Sequence, residues 1–256
     1  TMDFKNYEKS FLSKIMKNYK KKIYKKNIQF VAVSNWIKKE ALNSSILKNA
    51  KIIKIDNNIS IKDFKHFNQE DAKSILKIDT KKQIILYGAQ NPQSPRKGWK
   101  IFIDSLKKID KSKFYLLIFG NFWSKKIIDE IGIEYKSMGF IKDKSLISTV
   151  YSASDFFLAT SLQDAWPKTF AEAMYCGIPV VCFSSSSISE IVDHKINGFV
   201  AEKVNSDGLK EGIDWVSQEL KKNDFMKKNA TKKILNYDSK IIANKYIKLY
   251  EKIGNE

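Results

Sequence analysis

The residues best suited to chemistry lie in one run, Gln163-Asp164-Ala165-Trp166-Pro167-Lys168-Thr169-Phe170-Ala171-Glu172-Ala173-Met174, followed by Cys176-Gly177-Ile178-Pro179. The run comes after an apolar stretch and opens a helical pattern, with Pro167 fixing the turn between them. A helix amino end presents N–H groups without intrahelical partners and a positive dipole, and both suit a phosphate. Glu172 falls in the opening turn, where a carboxylate can accept hydrogen bonds from ribose hydroxyls, and Asp164 hangs in the loop that faces whatever the phosphate carries. A second explanation needs no ligand. Thr169-x-x-Glu172 is also a capping box, with Thr169 as the cap. A change of Glu172→Gln keeps capping geometry but weakens a charge-assisted bond to a diol, so it separates the two readings.

The second run is Gly88-Ala89-Gln90-Asn91-Pro92-Gln93-Ser94-Pro95-Arg96-Lys97-Gly98, between an apolar strand and a helix. It lacks the GxGxxG fingerprint, which argues against a nicotinamide cofactor. It places Arg96 and Lys97 beside a helix start, where two cations can neutralise a diphosphate as charge grows on it. The alternative is a solvated basic turn in a lysine-rich chain. Arg96 is the only arginine present. His66 and His194 have no partner at metal-ligand spacing, and His194 reads as a residue complementing a helix dipole. No metal site is expected, and Cys176 and Cys182 read as buried small hydrophobes.

These loops need a scaffold. From about residue 83 onward, short β-branched or aromatic runs (84–87, 114–119, 156–159, 180–183, 199–201) alternate with amphipathic patterns (99–109, 125–131, 145–152, 170–176, 187–192). Near-continuous apolar strands separated by helices predict an α/β fold, a doubly wound parallel sheet whose ligands bind beyond the carboxyl ends of the strands. Residues 1–50 differ. They hold a basic helical stretch at 11–24, one strand at 29–33 and one helix at 37–42, and read as the tail of a preceding domain. Residues 51–82 read as a linker with first elements, 83–237 as the main domain, and 238–256 as a final helix whose apolar face (Ile241, Ile242, Tyr246, Leu249, Tyr250) is left partly exposed.

Composition narrows the partners. With 43% hydrophobic residues the chain is a packed globular protein, and no apolar run is long enough to span a membrane. Two cysteines form no disulfide framework, so a reducing, cytoplasmic compartment is expected. The formal charge of +18 admits nucleic acid, an anionic membrane or a phosphate-bearing substrate. A lone arginine argues against base-reading nucleic-acid binding. The stripe Phe11, Leu12, Ile15, Met16, Tyr19 and Ile23 beside Lys14, Lys17, Lys20, Lys21, Lys22, Lys25 and Lys26 suits peripheral contact with an anionic membrane, or packing against a further domain with the lysines in water.

Together the two runs resemble the retaining GT-B glycosyltransferases, specifically glycosyltransferase family 4. Asp164 to Glu172 followed by Cys176-Gly177-Ile178-Pro179-Val180-Val181 is similar to that family's Glu–seven residues–Glu pattern and its small-Gly-x-Pro-Val-Val strand. Val33-Ser34-Asn35-Trp36, Ile55-Asp56-Asn57-Asn58-Ile59, Met138-Gly139-Phe140-Ile141, Glu190-Ile191-Val192 and Asn197-Gly198-Phe199-Val200 resemble further family segments in order. The resemblance implies a Rossmann-like GT-B carboxyl-terminal domain, with most of the amino-terminal acceptor domain absent, as in a fragment or a split enzyme. It implies no cofactor, but a nucleotide-sugar donor, with UDP the first choice and GDP next. The acceptor would be lipid-linked or a polysaccharide, and the anomeric configuration would be retained. Gly88, Arg96, Lys97 and the main chain near Lys168 and Thr169 would bind the diphosphate. Phe140 and Ile141 would contact the base, Glu172 the ribose, and Asp164 the donor sugar. A nucleotide-binding module without turnover is the alternative. Three departures from the family stand out: Ala89 where many relatives have arginine, Asp164 for glutamate, and Asn58 where relatives have a glycine at positive φ.

Overall fold

The computed structural model describes residues 11–24, 28–91, 94–121, 125–185 and 187–255. Lys25 and Lys26 of the basic stretch and Pro92 and Gln93 of the basic loop lie outside them. The chain divides into two compact units, Thr1–Asp56 and Asn57–Glu256.

In the first unit, α1 is Phe11–Ile23, β1 is Gln29–Ala32, α2 is Asn35–Asn43 and β2 is Lys51–Lys54, with β1 and β2 paired in parallel. Ser34 starts α2, its Oγ accepting from the Ile37 N–H at 3.1 Å. Along α1, Phe11, Leu12, Ile15, Met16 and Tyr19 are exposed.

The second unit contains α3 (Gln69–Ile75), β3 (Gln83–Ala89), α4 (Trp99–Lys108), β4 (Phe114–Gly120), α5 (Lys125–Ile131), β5 (Tyr135–Ser137), α6 (Lys144–Ser152), β6 (Phe156–Ala159), α7 (Lys168–Tyr175), β7 (Val180–Phe183), β8 (Gly198–Ala201), α8 (Ser206–Leu220), α9 (Phe225–Leu235) and α10 (Ser239–Gly254). Its six strands are parallel, in the order β5-β4-β3-β6-β7-β8. That is the doubly wound order in which the chain runs outward from β3 on one side and from β6 on the other. The expected α/β fold is therefore present. Central strands are buried on both faces, as the runs of Ile84, Ile85, Leu86 and of Phe156, Phe157, Leu158 require.

Some elements differ from expectation. β5 has no apolar run to announce it, because an edge strand of three residues buries little. The helix expected at 187–192 is a single 3-10 turn, Ser187–Glu190. The apolar stripe of α10 is split: Ile242 and Leu249 are buried, whereas Ile241 and Tyr250 are exposed. Asn58 is not at positive φ, where the only non-glycine residues described are Lys77 and Lys195. Its amide instead donates to Ser239 Oγ at 2.6 Å, while the Ile59 N–H bonds the Tyr237 carbonyl and the Ser239 N–H bonds Ile59 O, both at 3.0 Å.

Candidate functional site

The sheet reverses direction of travel between β3 and β6, so the loops after these two strands diverge and leave a crevice at their carboxyl ends. Two adjoining cavities, of about 550 Å³ and about 280 Å³, lie there and share Gly88, Ala89, Gln90, Lys168 and Thr169 as walls. The larger is also lined by Phe140, Ile141 and Glu172, the smaller by Arg96, Lys97 and Asp164. Every residue that the family resemblance assigned to the donor thus lines this one cleft.

The basic loop reaches the cleft because it is fastened to the end of β6. The Leu162 N–H bonds the Arg96 carbonyl at 2.7 Å, and Thr160 Oγ1 donates to the Lys97 carbonyl at 2.8 Å. A 3-10 turn, Pro95–Lys97, ends at Gly98, which has φ 64° and starts α4. Only glycine fits there. A Cβ would stand 2.1 Å from the Thr160 carbonyl oxygen. So held, Lys97 Nζ lies 3.1 Å from Asp164 Oδ2 and 3.3 Å from Ser161 Oγ. Arg96 is exposed at the cleft edge, and among the described residues no carboxylate is ion-paired with it.

The helix start corrects the sequence reading. α7 begins at Lys168 with Pro167 in the cap position and no side-chain cap bond, so Thr169 is inside the first turn, Glu172 lies beyond that turn rather than in it, and there is no capping box. The reason is local: Pro167 has no N–H to offer, its carbonyl accepts from Ala171 at 3.0 Å, and the Lys168 N–H turns back to the Trp166 carbonyl at 3.0 Å. The capping-box explanation for Thr169 and Glu172 thereby falls. Glu172 is buried, and its Oε2 accepts from the Tyr151 hydroxyl at 3.1 Å. Its Oε1 is 3.8 Å from Lys144 Nζ, which also sits 4.8 Å above the Phe64 ring. Burial raises the Glu172 pKa, opposed by Lys144, the Tyr151 hydrogen bond and Lys168.

That shift has a consequence for stability. A carboxyl whose pKa rises on folding binds its proton more tightly in the fold than in the unfolded chain. Stability is then greatest below the ordinary carboxylate range and declines as pH climbs through the raised value. Glu172→Gln removes this liability, so the variant is expected to melt higher than the native chain at pH 7 and to match it more closely at pH 4. Calorimetric melts at both values check this; a lower melting temperature at pH 7 would contradict it.

The sequence reading missed Tyr151 and Lys144. Tyr151 sits on the buried face of α6, where an aromatic at helical spacing reads as core, and nothing in its spacing to Glu172 marks the contact. The two histidines stand apart from the cleft walls. His194 Nδ1 accepts from the Val200 N–H at 3.1 Å within the turn before β8, rather than complementing a helix end, and the His66 ring packs on Tyr175 at 4.9 Å. Cys176 and Cys182 are buried, as expected, and burial pushes the Cys176 thiol up to about 12.

The chain is similar to known proteins in sequence and in fold. The family model described as glycosyl transferases group 1 matches residues 68–233. A Campylobacter jejuni N,N'-diacetylbacillosaminyl-diphospho-undecaprenol alpha-1,3-N-acetylgalactosaminyltransferase is 25% identical over 61% of this chain and 42% of its own length. A glycosyltransferase of Methanocaldococcus jannaschii without a characterised activity is 25% identical over 68% of this chain and 45% of its own. The matched part thus spans less than half the length of either relative. Among solved structures, a Rickettsia africae glycosyltransferase superposes with a TM-score of 0.79 at 21% identity, covering 93% of this chain and 66% of that one. Anabaena HepE, solved in complex with UDP-glucose, gives 0.70 at 21% identity, covering 87% and 63%. Among the described residues no helix is long and apolar enough to cross a membrane. With the doubly wound sheet, the crevice at its switch point and the family match all in hand, the chain belongs to the group 1 glycosyl transferases, on a GT-B type fold.

Proposed function

We propose that this chain binds the donor of a retaining glycosyltransferase of family 4, an enzyme that moves a sugar from a nucleoside diphosphate, UDP in the first instance, to an acceptor. The observation that carries the reading is the fastening of Arg96 and Lys97 onto the β6 loop. Those bonds set two cations in the same cleft as the first turn of α7 and the buried Glu172. A diphosphate spanning the shared walls meets Arg96, Lys97 and the N–H groups near Thr169, which stabilise the charge that grows as the sugar departs. The larger cavity takes the nucleoside, its base against Phe140 and Ile141 and its ribose on Glu172. Asp164, paired with Lys97, faces the sugar.

A lipid-linked or polysaccharide acceptor is supported by the diphospho-undecaprenol in the name of the Campylobacter relative. Peripheral membrane contact is supported by the exposed apolar side of α1 and its lysines. UDP is supported by the UDP-glucose complex of the Anabaena neighbour.

A thermal-shift panel tests the donor reading. A nucleoside diphosphate at 100 times its dissociation constant is expected to stabilise the chain by about 2.7 kcal/mol, and UDP to act at lower concentration than GDP. Uridine and inorganic phosphate alone should do far less. If uridine stabilised as well as UDP, the diphosphate site would be refuted.

A further inference from the structure

The carboxylate of Glu172 has to meet a ribose with its oxygens turned outward, yet the residue is almost wholly buried and its helix is short. What fixes its rotation is on the neighbouring helix. Tyr151 is 1% exposed, and its hydroxyl donates to Glu172 Oε2 at 3.1 Å. The ring is itself clamped: Phe119 meets it edge-on at 5.9 Å and Phe64 lies at 6.4 Å on a tilt. Phe119 takes its place because Gly88 has no side chain; a Cβ there would stand 2.2 Å from the tip of the Phe119 ring. Asp143 starts α6 by accepting from the Leu146 N–H at 2.6 Å, which fixes the helix that carries Tyr151.

From this chain of contacts we infer that Tyr151 is a positioning residue for nucleotide recognition, its hydroxyl holding Glu172 so that the carboxylate selects ribose over deoxyribose. The inference rests on the proposal that Glu172 clasps the ribose. Tyr151 also lines the larger cavity, but at 1% exposure its hydroxyl is engaged by Glu172 and its effect runs through that residue. Tyr151 acts by removing the freedom of a carboxylate whose other oxygen has, among the described residues, only Lys144, at 3.8 Å, to hold it.

The test compares the affinities of UDP and its deoxyribose counterpart by calorimetry. The native chain is expected to prefer the ribonucleotide by on the order of tenfold, the yield of a charge-assisted hydrogen bond. In Tyr151→Phe that preference should fall to about threefold or less, with affinity for the deoxyribonucleotide within about twofold of native. A purely structural role predicts that both nucleotides weaken alike and the ratio stays put, and that result overturns the inference. Glu172→Gln keeps the two ideas apart. If Gln at 172 leaves the ratio intact, the ribose reading itself is lost. If Gln abolishes it while Tyr151→Phe does not, only the role of Tyr151 is lost.

Should Tyr151→Phe not fold, a ring-fluorinated tyrosine at 151 keeps the shape and makes the phenol a better donor. The charged and titratable groups facing Glu172 are Tyr151, Lys144, Lys168, Cys176 at the end of its own helix and, more weakly, Asp63. Only the first is altered by the fluorine. A stronger donor favours the ionised carboxylate, so the acid limb of UDP affinity should move to lower pH. An unmoved limb counts against the inference.

Discussion

Lys97→Ala is expected to weaken binding of a nucleoside diphosphate by on the order of 100-fold, about 3 kcal/mol, while leaving the fold intact. Two losses add. One is the charge-assisted contact proposed between Lys97 and the phosphate. The other concerns Asp164, whose carboxylate is 18% exposed and now sits without its partner 3.1 Å away, facing an anion of the same sign. The fold should survive because the loop is held through backbone carbonyls of Arg96 and Lys97, which alanine keeps. The second loss can be isolated. Adding Asp164→Asn to Lys97→Ala removes the orphaned charge and should recover about tenfold. Titration calorimetry with UDP on the two single variants and the double closes the cycle. If Lys97→Ala bound UDP like the native chain, or if the double variant gained nothing, the electrostatic account of this end of the cleft would be wrong.

The largest expected effect on stability belongs to Gly98→Ala. Two penalties coincide at this residue. With φ 64° it lies in the left-handed region, which costs a side chain about 1 kcal/mol. Its new Cβ would also be 2.1 Å from the Thr160 carbonyl oxygen and 3.2 Å from that carbon. Backbone at the end of a central strand cannot retreat, so the loop must lift away, and overpacking of this kind costs about 2 kcal/mol more. A total of about 3 kcal/mol corresponds to a fall in melting temperature of about 6–12 °C in a chain of this size. Because the lifted loop carries Arg96 and Lys97 with it, UDP affinity should fall as well. Gly132→Ala is the control. It has φ 72° with nothing within 4 Å, so it meets the backbone penalty alone, about 1 kcal/mol, and its UDP affinity should be native. Equal melting temperatures for the two variants would show that the contact with Thr160 does not hold the loop.

Much of the scaffold was legible in the residues themselves. Runs such as Ile84-Ile85-Leu86 and Val180-Val181-Cys182 leave no polar alternation for a half-exposed sheet, and helical patterns between them force parallel crossovers. Chemistry-bearing side chains were legible by type: a lone arginine beside a lysine, and a glutamate in the helix that starts at the cleft, though past its first turn. Residue type and local spacing determine what a side chain is able to do and which face of its own element it occupies.

What they do not determine is which side chains meet across elements. The same tetrad Thr169-x-x-Glu172 spells a capping box, and only the placement of Pro167 in the cap position, with the Lys168 N–H turned to Trp166, frees Glu172 to face α6. Tyr151 carries a core-like signature and becomes a polar partner solely because α6 packs beside α7. Gly98 looks like an ordinary turn glycine until β6 delivers a carbonyl oxygen to its Cα. β5 is invisible in sequence because three edge residues bury too little to leave a pattern. At Tyr151 and Gly98 the deciding contact joins residues far apart along the chain, a neighbour that periodicity cannot name, whereas at Pro167 it is a local backbone bond that residue types alone leave open.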